Sequence, residues 1–243
     1  MYGICLLTVI PMRKLSSHKS EMINQILFGE TFSIIEKKEN WSFIKLSHDN
    51  YTGWICNNQY TGTSHSKINS YLLNKKYYKI KVKNINQQLI LGSLIPKNKL
   101  ERKKLHIDLK LNFSEIDNFN TWFQKIAKKY LNTPYLWGGR TTVGIDCSGF
   151  TQMVYRFFKI NLPRDSVQQA KKGKKISFKN CKIGDLAFFE EKNKITHVGI
   201  ILPNKKIIHS SGKVRIDLIE ENGIYNKESE QYSHKLKFIK RVI

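Results

Sequence analysis

The hydrophobic pattern of the chain changes once, near residue 112, and this change constrains the fold more than any other feature. Before it, apolar residues come in short runs rich in β-branched and aromatic side chains, separated by turn residues such as Gly29, Asn40 and Gly53. After it come two stretches with helical spacing and then a second series of strand-like runs. Helices followed by strands are typical of an α+β domain. We therefore predict an α+β domain at residues 111–243, preceded by small all-β modules.

The all-β part divides into two segments. Residues 1–60 hold four short runs at the spacing of a small barrel, which are GICLLTVI, TFSIIEKK, WSFIKLS and TGWICN. Residues 61–110 hold a weaker set, in which YYKIKVK, QQLILGSLIP and LHIDLKL are strand-like and the charged stretch KNKLERKK indicates a bend or linker. No strict repeat relates the two segments, although both are compatible with one type of barrel.

The α+β part begins with two predicted helices. FSEIDNFNTWFQKIAKKYL has apolar residues at helical spacing, and Ser114 is a suitable N-cap. The loop NTPYLWGGRTTVG then leads into a second helix, CSGFTQMVYRFFKI. Strands are predicted at DLAFFE, THVGIILP, KIIHSS and KLKFIKRVI.

The net charge of +23 is the strongest compositional signal. A surface of this kind attracts nucleic acid or anionic fragments of a cell wall. The 42 basic residues, however, include short lysine clusters without a nucleic-acid-binding motif, and abundant Lys, Asn and Ile fit a general compositional bias equally well. We therefore expect no nucleic-acid partner.

The sequence shows no sign of a membrane segment, a leader or a metal site. No run of about 18 apolar residues occurs, and no basic region precedes the short apolar stretch in MYGICLLTVI, which we interpret as a first strand. We predict a cytoplasmic protein, unless a leader has been trimmed, and a monomer. The four cysteines are scattered without a CxxC pair or zinc spacing, so we expect free thiols, no metal and no cofactor.

Cys147 stands in DCSGF, at the start of the second predicted helix. Backbone N–H groups and the helix dipole favour a negative charge there, so we predict a reactive thiolate. His197 and His209 lie in ITHVGIIL and KIIHSSG, and a turn at Pro203-Asn204 would fold these runs into a hairpin. The predicted roles are nucleophile for Cys147, general base and acid for His197, and orienting residue for His209, with a backbone N–H at Cys147 stabilising the oxyanion.

Each of these residues taken alone is more often structural than catalytic. A lone cysteine before a helix usually packs, and a lone histidine on a strand is usually ordinary. The combination of a glycine-containing loop, DCSG, a helix and two histidines on one hairpin favours catalysis. Four further histidines lack such a setting and are interpreted as surface or loop residues: His18, His48, His106 and His234.

Five motifs together resemble the NlpC/P60 family of papain-like cysteine peptidases, over about residues 115–243. They are YLWGGRTTVGIDCSGFTQMVY, LPRDSVQQAKKG, GDLAFFE, HVGIIL and IIHSSG. The resemblance implies a papain-like α+β catalytic domain with a Cys-His-His triad, carried here by Cys147, His197 and His209.

The N-terminal part is similar to a bacterial SH3 domain, through SEMINQILFGE, WSFIKL and DNYTGWI. Such a domain precedes NlpC/P60 in γ-D-glutamyl-L-diamino acid endopeptidases of the YkfC type. The resemblance implies two SH3-like barrels, at residues 1–60 and 61–110, of which the second departs most from the pattern. It also implies hydrolysis of the bond between γ-D-Glu and L-Lys or meso-diaminopimelate in murein peptides with a free N-terminal L-Ala, releasing L-Ala-γ-D-Glu during wall-peptide recycling.

The same resemblance implies a set of substrate-binding residues. Glu30 is an alternative to Glu21 near the substrate amine, Arg164 is a further candidate for the D-Glu carboxylate, and Trp137 lines the cleft or supports the core. Two other functions stay open, which are an amidase or acyltransferase using the same thiol and a wall-binding SH3 protein without activity. The implied substrate-binding residues are Glu21, Tyr51, Trp137, Asp146, Ser148, Asp165 and Ser166.

Overall fold

The computed structural model describes residues 1–109, 119–226 and 229–242, and for residues 119–122 it describes the backbone alone. These residues form two compact units. The first unit contains residues 1–109 together with Trp137–Thr142, and the second unit contains the other described residues. The predicted helix start at Ser114 lies outside the described residues. Within the described ranges, no helix is long and apolar enough to cross a membrane.

The first unit is built around a seven-stranded antiparallel sheet with the order β3-β2-β6-β5-β4-β1-β7. Apolar side chains such as Ile10, Phe32, Ile44 and Ile55 alternate along the strands and are fully buried in its core. The strands are β1 (Tyr2–Ile4), β2 (Val9–Arg13), β3 (Met22–Leu27), β4 (Thr31–Lys38), β5 (Trp41–Leu46), β6 (Thr52–Cys56) and β7 (Thr61–Thr63).

The interpretation of the N-terminal apolar stretch as one strand is wrong. The chain bends at Leu7 and Thr8, which separates β1 from β2. Cys5 exchanges backbone hydrogen bonds with Gly29 and Glu30, in the turn before β4, so the pairing of β1 ends there. The apolar run alone did not reveal this bend, because Leu7 at the bend is apolar although it is exposed.

After β7, the chain up to residue 109 forms two small sheets, and their buried cluster includes Ile4, Leu6 and Phe28 from the N-terminal segment. Strand β8 (Ser70–Leu72) pairs with β11 (Leu94–Pro96), while β9 (Tyr77–Val82) lies between β10 (Ile85–Ile90) and β12 (Ile107–Asp108). The assignment of this segment as a second SH3-like barrel stays a prediction.

The predicted bend or linker at KNKLERKK is wrong, because most of it forms helix α1 (Lys99–Lys104). Asn98 starts this helix by accepting the N–H of Leu100 on its Oδ1 atom at 2.8 Å. Glu101 in the first turn and three basic residues in the last turn suit the helix dipole.

The second unit is α+β, as predicted. Its antiparallel sheet has the order β15-β21-β16-β17-β18-β19-β20, and β20 also pairs with β21, so six strands form a closed sheet. The strands are β15 (Lys174–Ile176), β16 (Leu186–Glu191), β17 (Lys194–Leu202), β18 (Lys206–Ser211), β19 (Lys213–Glu220), β20 (Gly223–Asn226) and β21 (Gln231–Arg241). Two short strands precede them in the chain, β13 (Arg140–Thr141) in the first unit and β14 (Gly144–Ile145) in the second.

The described part of the second unit has three α-helices, and the second and third of them pack on β17. They are α2 (Phe119–Lys128), α3 (Cys147–Arg156) and α4 (Ser166–Gln169). Helices α2 and α3 meet through an edge-to-face contact between Phe123 and Tyr155, with ring centroids 5.4 Å apart. Phe150 and Val154 of α3 are fully buried. This packing holds the N-terminal end of α3, where Cys147 lies, in a fixed place in the second unit.

The predicted hairpin between the two histidine strands is confirmed. Asn204 and Lys205 adopt positive φ angles of 60° and 52° in its turn. Gly199 pairs with His209 across the hairpin. A Cβ atom at Gly199 would lie 2.9 Å from the Cβ of His209, so glycine is needed for β18 to bring that histidine so close.

Candidate active site

Cys147 is the first residue of α3, and Asp146 determines where this helix begins. The Oδ1 atom of Asp146 accepts the N–H of Gly149 at 2.7 Å, which is an N-cap hydrogen bond. The Cys147 side chain is almost buried, and its sulfur receives hydrogen bonds from the backbone N–H groups of Ser148 and Val198. Because Val198 follows His197 in β17, the thiol lies beside the strand segment that carries the predicted base.

His197 and His209 are brought together by the β17–β18 hairpin. Nε2 of His197 lies 2.9 Å from Nδ1 of His209, and both side chains are buried. On its other side, Nε2 of His209 lies 2.9 Å from Oδ2 of Asp217 in β19. The three side chains therefore form one hydrogen-bonded series, Asp217–His209–His197.

Asp217 determines which nitrogen of each imidazole carries the proton. Burial raises the pKa of Asp217, but hydrogen bonds from His209 and Arg215 outweigh burial and lower it, so the carboxylate only accepts. A neutral His209 bound to this carboxylate donates from Nε2 and accepts at Nδ1, so that His197 donates from Nε2. This leaves the lone pair of His197 on Nδ1, as a general base requires.

Asp217 and Arg215 were not among the predicted site residues. Arg215 donates to Oδ1 of Asp217 at 2.9 Å and so holds the carboxylate in place. A sequence signal exists in KVRIDLIE, where two residues of opposite charge stand two positions apart and so share one face of a strand. This signal points to the active site only when the strand is known to pair with the strand that carries His209.

The predicted thiolate is wrong for the substrate-free protein. Burial and then the negative charge of Asp146 raise the pKa of the Cys147 thiol to about 12, although the N–H groups of Val198 and Ser148 act in the opposite direction. Burial also lowers the pKa of His197 well below its usual value, followed by the charges of His209 and His234. Burial therefore outweighs the helix start, and both the Cys147 thiol and the His197 imidazole are neutral.

His234 was interpreted as an ordinary surface or loop residue, and this was wrong. Its ring stacks on that of His197, with centroids 4.2 Å apart and an interplanar angle of 29°. Burial and then the charge of His209 lower the pKa of His234 to about 4, so it stacks as a neutral ring. No local signal marked it, because only the pairing of β21 with β16 brings this residue to the base.

Asp146 and Ser148 surround a buried arginine. Both carboxylate oxygens of Asp146 contact the guanidinium of Arg164, with Nη1 to Oδ1 at 3.0 Å, and Nη1 also donates to Oγ of Ser148 at 2.9 Å. All three side chains are buried. Asp146 therefore caps α3 and binds Arg164 in the interior of the second unit. Substrate binding by Asp146 and Ser148 stays a prediction.

Asp165 and Ser166 lie at the start of α4, where Asp165 is the N-cap residue and both are half-buried. Gln169, a residue that the sequence analysis missed, joins this helix to α3. Its Nε2 atom donates to the carbonyl of Ser148 at 3.0 Å, and its Oε1 atom accepts from Thr151 at 2.7 Å. The structure therefore brings Asp165 and Ser166 towards the first turn of α3, and their substrate contacts stay predictions.

In the first unit, the structure brings Glu21 and Trp137 together. Nε1 of Trp137 donates to Oε1 of Glu21 at 2.8 Å. The indole is 60% exposed, so Trp137 is not core support. Gly138 allows this segment to approach β3 closely, because a Cβ there would lie 2.5 Å from the carbonyl oxygen of Met22. Tyr51 is packed against the buried core of the first sheet.

Glu30 has a different environment from Glu21. Its carboxylate is buried and accepts from Arg140 at 3.0 and 3.1 Å and from the N–H of Leu27 at 2.9 Å. A buried carboxylate bound to a buried guanidinium stabilises the local structure, since removing either partner leaves an unpaired charge. Of the two alternatives, Glu21 is the exposed one.

Two family models match the chain. The NlpC/P60 family matches residues 132–233, which contain Cys147, His197 and His209. The bacterial dipeptidyl-peptidase SH3 domain matches residues 12–59, which contain Glu21 and Tyr51. The chain therefore carries an NlpC/P60 domain that follows a bacterial SH3 domain in the sequence. These matches cover the residues on which the sequence resemblance was based.

Similar curated proteins include two from Bacillus. The chain is 41% identical over 104 residues to the gamma-D-glutamyl-L-lysine dipeptidyl-peptidase of Bacillus subtilis strain 168, which is 41% of this chain and 35% of that protein. It is 37% identical over 87 residues to the protein of the same name from Bacillus cereus ATCC 10987, covering 35% and 26%. The matches therefore span about a third or less of these relatives.

Solved structures support the fold of the whole NlpC/P60-containing chain. A Bacillus cereus ATCC 10987 NlpC/P60 family protein has a TM-score of 0.77 at 16% identity, and the match covers 100% of this chain and 99% of that one. An NlpC/P60 endopeptidase from Photobacterium damselae subsp. piscicida has a TM-score of 0.72 at 16% identity, covering 98% and 70%. At such identities the likeness concerns the fold alone, and it confirms the predicted fold class.

Proposed function

We propose that this protein is a cysteine peptidase that hydrolyses the bond between γ-D-Glu and L-lysine, or another L-diamino acid, in murein peptides with a free N-terminal L-Ala. The observation that carries the proposal is the hydrogen-bonded series Asp217–His209–His197 beside the thiol of Cys147. The NlpC/P60 match and the names of the similar proteins support the substrate class.

The first chemical step forms a thioester. As the sulfur of Cys147 attacks the γ-carbonyl carbon of D-Glu, its proton moves to Nδ1 of His197. The positive charge that develops on His197 is stabilised through His209 by Asp217. The N–H of Cys147, at the free N-terminal end of α3, is the proposed donor to the oxyanion. His197 then gives its proton to the amine of the diamino acid, and the C–N bond breaks.

The second step releases the dipeptide. His197 removes a proton from water, the hydroxide attacks the thioester carbon, and the sulfur leaves and regains a proton from His197. The products are L-Ala-γ-D-Glu and the free diamino acid. Because neutral Cys147 and neutral His197 start and end the cycle, the site returns to its resting state.

We further propose that Glu21 and Trp137 contribute to recognition of the substrate's free ammonium group. Oε1 of Glu21 accepts the indole N–H, and Oε2 lies 3.4 Å from Nζ of Lys14. The side chain is 42% exposed, so a substrate ammonium group would compete with Lys14 for this carboxylate. A free L-Ala amine exists only after the amide to muramic acid has been cleaved. The proposed reaction therefore belongs to the recycling of detached wall peptides, as the sequence resemblance implied.

The proposal is tested with synthetic L-Ala-γ-D-Glu-L-Lys and the purified protein, with mass spectrometry of the products. The unchanged protein should release L-Ala-γ-D-Glu, and Cys147→Ala should lower kcat more than about 10³-fold. Cys56→Ala, which removes a half-buried free thiol of the first unit, is the matched control and should retain full activity.

Two results would contradict the proposal. One is equal turnover by Cys147→Ala and the unchanged protein. The other is a product whose mass shows transfer of the L-Ala-γ-D-Glu group to an added amine in preference to water, which would indicate an acyltransferase. If the N-acetylated peptide were cleaved as fast as the free peptide, the proposed recognition of the ammonium group would be wrong.

A further inference from the structure

A pocket of about 470 Å³ lies in the second unit next to the proposed base. Two imidazoles and one phenyl ring form part of its wall, from His197, His234 and Phe189. Its polar lining includes Glu190, Glu191 and Lys235. Among the described residues that line it, Cys147 is absent, so the pocket borders the base without bordering the nucleophile.

This position indicates which half of a substrate the pocket receives. During the proposed reaction, the acyl half is bonded to the sulfur of Cys147, while the leaving amine takes its proton from His197. A group in contact with the imidazole and away from the thiol therefore belongs to the leaving half. In the proposed substrate, that half is the diamino acid.

The two carboxylates that line the pocket differ in their ion pairs. Glu190 is bound by Lys237 at 2.7 Å and by Lys235 at 3.2 Å, so this carboxylate already has two cationic partners. His197 and His234 are neutral because burial lowers the pKa of both. Glu191 is exposed and has no ion-pair partner among the residues that the structure describes. Of the two carboxylates in the pocket lining, Glu191 is therefore the one left open to a cationic ligand, in a chain whose net charge is +23.

We propose that this pocket binds the side chain of the leaving residue, and that the Glu191 carboxylate selects a single cationic group, such as the ε-ammonium of L-lysine. The inference rests on the proposed function and names a specificity-determining residue for it. Meso-diaminopimelate carries a second carboxylate on its side chain, which would lie near the carboxylate of Glu191, while Lys235 and Lys237 are already bound to Glu190. Lysine is therefore preferred to diaminopimelate.

The test compares kcat/KM for three peptides of the form L-Ala-γ-D-Glu-X, where X is L-lysine, 6-hydroxy-L-norleucine or meso-diaminopimelate. The hydroxyl compound matches the length of lysine without its charge. The unchanged protein should prefer lysine to 6-hydroxynorleucine by roughly fivefold, as expected for one partly exposed charge pair. Glu191→Gln should lose this preference, because the substitution should lower kcat/KM for the lysine peptide alone.

Two further variants sharpen the result. Glu191→Lys should reverse the selection, so that a leaving L-α-aminoadipate is cleaved faster than L-lysine. Glu221→Gln removes the same charge from an exposed turn outside the pocket and should leave all ratios unchanged.

Equal slowing of the lysine and 6-hydroxynorleucine peptides by Glu191→Gln would overturn the inference, because a structural effect does not distinguish them. A preference for diaminopimelate in the unchanged protein would overturn it as well. If the unchanged protein cleaved none of the peptides, the proposed function itself would fail, and this inference with it. Cleavage of all three peptides at equal rates would support the proposed peptidase activity and would refute only the proposed selectivity of the pocket.

Discussion

At the scale of single residues, the main question is where the catalytic proton rests before substrate binds. Cys147 and His197 are both buried, and burial favours the neutral form of each. The N–H groups directed at the sulfur reduce this effect without reversing it. The proton therefore rests on sulfur, and the thiolate forms as the attack occurs.

This resting state predicts the pH dependence of alkylation. The thiolate is the reactive form, and below a pKa of about 12 its fraction rises tenfold with each pH unit. The rate of iodoacetamide labelling at Cys147, followed by peptide mass spectrometry, should therefore rise with a slope near 1 in log rate between about pH 6 and pH 9. Cys147→Ala identifies the labelled peptide. A rate that is constant from pH 6 upwards would show a preformed thiolate and contradict this assignment.

At the scale of elements, three consecutive strands each supply one member of the hydrogen-bonded series. Strand β17 carries His197, β18 carries His209 and β19 carries Asp217. Because adjacent antiparallel strands lie about 4.8 Å apart, side chains on one face form a row across them. The strand register therefore determines the tautomer of the base.

Asp217→Asn tests this dependence. An amide can donate as well as accept, so His209 is no longer forced to present a lone pair to His197, and part of the base is in the wrong tautomer. We expect kcat to fall roughly 10- to 100-fold with little change in KM. Asp108→Asn, an equal change on an exposed strand residue of the first unit, should leave kcat unchanged. Unaltered kcat in Asp217→Asn, with normal circular dichroism, would show that the series does not control the base.

The same strands show what could be predicted from sequence. The runs TFSIIEKK and KIIHSS coincide with β4 and β18 because turn residues bound each of them. The hairpin that joins His197 to His209 followed from its turn, Pro203-Asn204. Asp217 was missed because β19 was not among the predicted strands. His234 was missed because it reaches His197 only through non-local pairing, for which a single sequence holds no signal.

The short charged segments were harder to predict than the apolar ones. KNKLERKK forms a helix whose start depends on one capping side chain, Asn98, and whose six residues are too few to show a period. The buried charge of Arg140 was equally hidden, because its partner Glu30 stands 110 positions away. Charged residues were read as surface by default, whereas several of them are interior.

At the scale of the whole molecule, the few acidic residues explain the excess of positive charge at the surface. There are 19 acidic and 42 basic residues, and several of the acidic ones are bound to arginines with little exposure to solvent. The lysines therefore lack enough partners and repel one another. The pairs in question are Glu30–Arg140, Asp146–Arg164, Asp185–Arg241 and Asp217–Arg215.

This repulsion predicts that salt stabilises the folded protein. The Debye length falls from about 10 Å at 0.1 M to about 3 Å at 1 M ionic strength, so salt screens the exposed lysines far more than the buried pairs. We expect Tm, measured by calorimetry, to rise by roughly 2–4 °C between 0.05 and 0.5 M NaCl, which corresponds to about 1 kcal/mol. Replacing four exposed lysines with glutamine, at positions 171, 172, 174 and 175, should raise Tm at low salt and reduce the response to salt. A Tm that falls with salt would show that attractive ion pairs, and not repulsion between lysines, dominate the electrostatics of the folded chain.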